Sequence, residues 1–298
     1  AMFTRKLFLS ILVIVFLSAC NGQASPAPTL TPALAATETP PPPTPSPTPE
    51  PLAARVNGEG ILLADYQAEL GRFQAALTET GKTASDAEAR QRVLDALIDE
   101  ALLAQAAAAN GHQVSDNEVQ ASMAATLEKI GGDATWAAWL QKNGYTEESY
   151  RQALIRSLAA AWQRDQILAA VPTSVEQVHA RQILVLSKAT ADSIYNNLQS
   201  GADFATLAQQ YDPATGGELG WFPRGYLTQP AVEEAAFALQ PGQYSPVVQS
   251  DIGFHIVLVV EREVRQLSTD ALLTLQRNAL ADWLQQQRAA SQIEILVP

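Results

Sequence analysis

The stretch Gly216-Gly217-Glu218-Leu219-Gly220-Trp221-Phe222-Pro223-Arg224-Gly225 decides how the second half of this chain is read. Alone it is a glycine-rich turn, but its neighbours frame it. Upstream, Gln182-Ile183-Leu184-Val185-Leu186 reads as a buried strand, and downstream residues 254–260 read as another. Between them, residues 189–199 and 203–211 have helical periodicity, the second run capped by Asp203. Strands alternating with short helices around a glycine-rich centre mark residues 178–262 as a unit of its own.

Five blocks of this unit stand in the order found in the parvulin family of peptidyl-prolyl isomerases: His179-Ala180-Arg181-Gln182-Ile183-Leu184-Val185, Gly201-Ala202-Asp203-Phe204-Ala205, the decapeptide above, Glu234-Ala235-Ala236-Phe237-Ala238-Leu239, and Gly253-Phe254-His255-Ile256. The unit therefore resembles a parvulin domain over about 85 residues, and the resemblance implies a small antiparallel sheet surrounded by short helices. It also implies cis/trans isomerisation of Xaa-Pro bonds. That reaction crosses a barrier of about 18–20 kcal/mol arising from amide resonance and needs no covalent nucleophile. An apolar seat for proline and a few fixed polar groups suffice.

Carried over block by block, the resemblance places Leu219, Phe222 and Leu227 on the proline pocket, with Val232 where the family usually has an aromatic ring. His255 falls on the second of two family histidines, and Ser250 on a hydroxyl position. Asp212 is the nearest match to an acidic or thiol residue. Gln182 stands where the family has its other histidine, and as both donor and acceptor it can still partner His255. The polar set is thus His255, Gln182, Asp212 and Ser250. Two bland readings stand beside it: Asp212-Pro213 is also a common turn opener after a helix, and His255 can serve mainly to order the sheet. The loop between Tyr211 and Gly216 is shorter than in the family. His179, three positions from Gln182, reads as a surface or strand-edge residue on the opposite face.

Upstream the pattern is helical. Asn57-Gly58 is a strong hairpin signal, and Val93, Leu94, Leu97, Ile98, Ala101 and Leu102 recur at spacings of three and four up to a stop near Gly111. Ser115 with Glu118 forms a capping-box pattern for the next helix, which Gly131-Gly132 closes. A short helix carries Trp136 and Trp139, Thr146 caps a long one, and Pro172 ends the unit. This region resembles the N-terminal chaperone region of the SurA and PrsA foldases. The aromatic residues at helical spacing read as core, with a cradle for unfolded chains as the other reading. A last helix, at about 269–290, carries Leu272, Leu275, Ala279, Leu280, Trp283 and Leu284 on one side and needs a partner surface. In the resembled family such a segment packs back on the N-terminal helices, and Ile293-Glu294-Ile295 is expected to pair with the strand near Val56. The expected fold class is α+β.

The chain opens with Arg5 and Lys6, an apolar run over 7–17, and Leu17-Ser18-Ala19-Cys20. The run is shorter than the roughly 20 residues of a membrane-spanning helix and reads as an export signal. Its ending resembles a bacterial lipobox, which implies lipid on Cys20. Eleven of the 18 prolines lie between Pro26 and Pro51, giving an extended spacer that at ~3.1 Å per residue reaches on the order of 80 Å. The expected organisation is a signal at 1–20, a Pro/Thr-rich tether at 21–53, a helical unit at 54–175, the parvulin unit at 176–265, and a completing helix and strand at 266–298.

Net charge is -12 and no Lys/Arg cluster follows the first residues, which argues against nucleic acid as a partner. Cys20 is the only cysteine, so an intramolecular disulfide and thiolate catalysis in the folded part are excluded. Three scattered histidines make no ligand cluster, and neither metal nor cofactor is expected. The expected partners are unfolded, exported polypeptides with Xaa-Pro bonds and, through Cys20, a bacterial membrane on its extracytoplasmic side. A homodimer through the helical unit is compatible with the sequence. The expected function is a membrane-anchored foldase, the alternative a holdase that binds the same clients without accelerating them.

Overall fold

The computed structural model describes residues 50–297. The export signal, Cys20 and nearly all of the tether lie outside the described residues. No helix among the described residues is long and apolar enough to cross a membrane.

The helical unit begins with a hairpin of β1 (Leu52–Val56) and β2 (Glu59–Leu62). Asn57 and Gly58 take φ of 53° and 87° at its turn, the left-handed pair that a two-residue hairpin of matching twist requires. Five helices follow: α1 (Leu63–Glu79), α2 (Asp86–Ala109), α3 (Asp116–Ile130), α4 (Asp133–Lys142) and α5 (Glu147–Ala169). Ser85 with Glu88, Ser115 with Glu118, and Thr146 with Ser149 form reciprocal caps that satisfy otherwise orphaned N–H groups. The hydrogen bonds from Ser85 and Ser115 hold the Glu88 and Glu118 carboxyls below the usual range. The periodic set on α2 is the core: Val93, Leu94, Ile98 and Leu102 pack with Ala53, Ala54, Val56 and Tyr66.

The end of the chain completes this unit. After α9 (Thr269–Ala290), β7 (Ile293–Ile295) adds antiparallel to β1 with Ala54 opposite Ile295 and Val56 opposite Ile293, so the sheet order is β2-β1-β7. α9 lies against α5 and α2. Its Arg288 donates to Asp99 at 2.7 Å and to Asp95 at 3.1 Å.

The second unit holds β3 (Ser174–Val185), α6 (Lys188–Gln199), α7 (Phe204–Tyr211), β4 (Glu218–Pro223), α8 (Pro230–Ala238), β5 (Val248–Ser250) and β6 (Gly253–Gln266), with an antiparallel sheet of order β4-β3-β6-β5. Its central ribbon is longer than the apolar runs suggest. β3 starts at Ser174 and β6 runs to Gln266, because the added residues pair with each other while alternating with charged groups such as Glu176, Arg262 and Arg265. Leu186, counted as strand for its apolar character, lies outside it and is 86% exposed. The register shifts between His179 and Ala180, whose partners on β6 are Glu261 and Val259.

Strand alternation divides the core in two. Val178, Ala180, Val257 and Val259 pack with Phe222 and with Val232, Ala236 and Phe237 of α8 on one face. Ile183 and Ile256 pack with Ile194 and Leu198 of α6 and with Phe204 and Ala208 of α7 on the other. Arg262 donates to the carbonyls of Phe237 and Leu239 at 2.8 and 2.6 Å, satisfying the end of α8.

Candidate active site

On the face that carries α8, the sheet presents two polar side chains from its two central strands. Gln182 of β3 and His255 of β6 meet through Gln182 Oε1 and His255 Nδ1 at 2.8 Å. Since the amide oxygen only accepts, Nδ1 carries the imidazole proton. Nε2 is then the acceptor, and Ser250 Oγ, at the end of β5, donates to it at 2.7 Å. Ser250 Oγ in turn accepts from Ile252 N–H at 3.2 Å. His255 is 1% exposed, and burial pushes its pKa below the ordinary imidazole value, which favours the neutral ring that this pattern requires.

The short loop after α7 ties into the same network. The Gln182 N–H donates to the Gly217 carbonyl at 2.7 Å, and the Gly217 N–H donates to Asp212 Oδ2 at 3.3 Å. At Gly217 φ is +72°, and a Cβ there would stand 1.9 Å from the Gln182 carbonyl oxygen, so only glycine permits the approach. Asp212 also accepts from Ala214 N–H and Thr215 N–H, both at 3.2 Å, and from the Thr215 hydroxyl. Thr215's hydroxyl, followed by these backbone donors, holds the Asp212 carboxyl below the usual range. Asp212 thus organises the turn, and both of its oxygens are engaged by loop donors. The four polar residues named from the sequence form one connected chain, Asp212 to Gly217 to Gln182 to His255 to Ser250.

The apolar candidates converge on one cluster, but they do not all reach its surface. Phe222 is 0% exposed and Val232 2%. Phe222 points its ring into the core edge-on to Phe237, with ring centres 6.1 Å apart. Leu219 and Leu227 are half-buried and pack on the same cluster. Of the four, Phe222 and Val232 lie beneath the surface of the cluster, and the half-buried Leu219 and Leu227 present apolar surface.

His179 is not at a sheet edge. β3 is an inner strand, and the His179 ring, 23% exposed in its side chain, stacks on Trp221 and meets Glu218 Oε1 at 2.5 Å. Burial opposes ionisation of Glu218, but hydrogen bonds from Gly220, Arg181 and His179 outweigh it and lower its pKa.

Sequence reasoning passed over Glu233 in the first turn of α8. Its carboxylate accepts from the N–H groups of Gly225, Tyr226 and Leu227 at 2.7, 3.0 and 3.0 Å, fixing the loop that carries Leu227. The available signal was an acid just inside a helix start, directly after a glycine-bearing loop.

In comparisons with known proteins, residues 167–261 match the PPIC-type PPIASE domain and residues 6–163 the SurA-like N-terminal domain. The chain is 33% identical over 233 residues to the foldase protein PrsA of Caldanaerobacter subterraneus subsp. tengcongensis, covering 69% of this chain and 72% of that one. PrsA of Geobacillus kaustophilus is 30% identical over 203 residues, 63% of this chain and 69% of the relative. The chaperone SurA of Dechloromonas aromatica is 38% identical over 145 residues, 41% of this chain and 33% of that protein.

Proposed function

Because the chain belongs to the family of SurA-like foldases that carry a PPIC-type peptidyl-prolyl cis-trans isomerase domain, we propose that it isomerises Xaa-Pro bonds of exported, unfolded polypeptides from a lipid anchor on Cys20. The observation that carries the site assignment is His255 held at both ring nitrogens, by Gln182 and Ser250, on the sheet face of the Leu219 and Leu227 cluster. Uncatalysed exchange takes on the order of tens to hundreds of seconds.

In this reading Leu219 and Leu227 seat the proline ring, and the rigid polar network beneath sets the electrostatics around the preceding carbonyl. Rotation removes amide conjugation, so the lone pair localises on the nitrogen while the carbonyl oxygen loses partial negative charge. A preorganised environment favours the twisted state because it needs no reorganisation when the charges shift. His255, buried and fully bonded, acts as a positioning residue, as does Ser250. Asp212 holds the loop that presses Gly217 against Gln182. Every 1.4 kcal/mol of preferential binding to the twisted amide gives about tenfold in rate.

The helical unit supplies the holding function that the SurA-like match supports, with the Pro-rich segment as spacer and the site on the extracytoplasmic side of the membrane. The deciding experiment is an isomerisation assay of the whole chain by NMR exchange on short Xaa-Pro peptides. Acceleration is expected. Binding without acceleration overturns the catalytic assignment in favour of a holdase. Radiolabelled fatty acid incorporation that persists in a Cys20→Ser variant would overturn the anchor.

A further inference from the structure

The loop that bears Leu227 is gripped from two sides. From within the isomerase unit, the Glu233 carboxylate takes three consecutive backbone N–H groups, at Gly225, Tyr226 and Leu227. From the helical unit, α9 reaches the same three-residue segment. Asn278 Nδ2 donates to the Gly225 carbonyl at 2.7 Å, and Tyr226 Oη donates to Asp270 Oδ2 at 2.7 Å, which raises the Tyr226 pKa. Leu275 packs so close that a Cβ on Gly225 would lie 3.3 Å from its Cδ2. Gln276 on the same helix donates to the Leu168 carbonyl at the end of α5, so the α9 segment that holds the loop is itself fixed to the helical unit.

Resting on the isomerase reading above, we infer that Glu233 and Asn278 are positioning residues for proline binding: they form a clamp, half from each unit, that sets where Leu227 stands. Three N–H groups converging on one carboxylate make charge-assisted bonds, stronger than neutral ones. They also leave the loop few alternative conformations. Leu227 is one of two half-buried apolar candidates, so a shift of its backbone changes the seat directly. The isomerase site is thereby built on the helical unit as well as on its own sheet.

The test uses the whole chain and its Glu233→Gln and Asn278→Ala variants, with exposed Asp282→Ala on α9 as control. Three quantities are read: peptide Kd by NMR titration with a short Xaa-Pro peptide, the KM against kcat split, and amide exchange at residues 225–227. The clamp predicts Kd and KM raised roughly fourfold by Glu233→Gln and roughly twofold by Asn278→Ala, from loss of hydrogen bonds, and in neither case beyond the effect of removing the Leu227 side chain. It further predicts kcat changed less than KM, faster exchange at the three amides, and an unaltered control. Unchanged Kd and amide protection in both variants overturn the clamp. So does weakening that merely tracks a fallen thermal midpoint, and Asn278→Ala, on an exposed side chain, keeps that comparison open if Glu233→Gln folds poorly. A parent chain that neither binds nor accelerates the peptide removes the isomerase reading and the clamp together, whereas an active parent with indifferent variants removes the clamp alone.

Discussion

Gln182 Oε1 lies 2.8 Å from His255 Nδ1, and that contact decides which imidazole nitrogen keeps its proton. A carboxamide in place of the family's other histidine preserves a bonded, neutral His255. Gln182→Ala leaves the buried Nδ1–H without its acceptor and should cost about 1–3 kcal/mol in denaturant unfolding. Gln182→His should keep the fold and change the isomerisation rate by less than about tenfold, since a second imidazole can accept the same proton. A rate gain of several orders of magnitude would show that the amide cripples the site.

Leu227 and Phe222, which share a cluster, should fail differently. Leu227→Ala removes half-buried apolar surface worth about 1 kcal/mol, so KM should rise roughly fivefold with little change in stability. Phe222→Ala empties a fully buried ring position and should cost about 3–5 kcal/mol in unfolding free energy. Reversal of these two patterns in paired stability and kinetic measurements would refute the division between seat and support.

At Gly217, alanine would bring a methyl into the Gln182 carbonyl and sit in left-handed backbone. Gly217→Ala should cost about 3 kcal/mol or more, with loss of activity as the Asp212 loop is displaced. Near-wild-type melting and turnover would mean that the loop approaches β3 less closely than described.

His255 gives the fold a pH dependence of definite sign. Burial lowers its folded-state pKa, so the unfolded chain binds the proton more readily, and the stability contributed by the neutral ring is fully present above the unfolded value of about 6.5. It is lost as pH falls from there through the lowered native pKa. Unfolding free energies measured between pH 7.5 and 5 should fall more steeply for the parent than for His255→Asn, and equal slopes would contradict the assignment.

Ser115 and Glu118 show what local sequence can specify: a cap needs only residues three apart, and both of its hydrogen bonds are present. Helix periodicity on α2 was equally readable, because one apolar stripe faces one core. The β3–β6 ribbon was not, since its outer residues pair across 92 positions at Ser174 and Gln266 while their side chains alternate with charge. Ordering of the parvulin-like blocks located the sheet, His255 and Gln182, but burial is a property of the packed unit, so nothing in the sequence separated Phe222 from Leu227. Glu233 escaped notice for a related reason: a carboxylate whose partners are backbone N–H groups leaves no complementary side chain in the sequence.

The strand at the end of the chain joins the one at the start of the helical unit, where Gln292 N–H donates to Asn57 Oδ1 at 2.9 Å. A polypeptide delivered from its N-terminus thus presents the whole isomerase insert before the scaffold around it can shut. The insert contains both long strands of its own sheet and has no need to wait. The expected order of assembly is therefore staged, the inner unit first and the outer sheet completed only when β7 pairs with β1. A truncation that removes β7 would strip β1, the first strand of the helical unit, of its partner from the far end of the sequence.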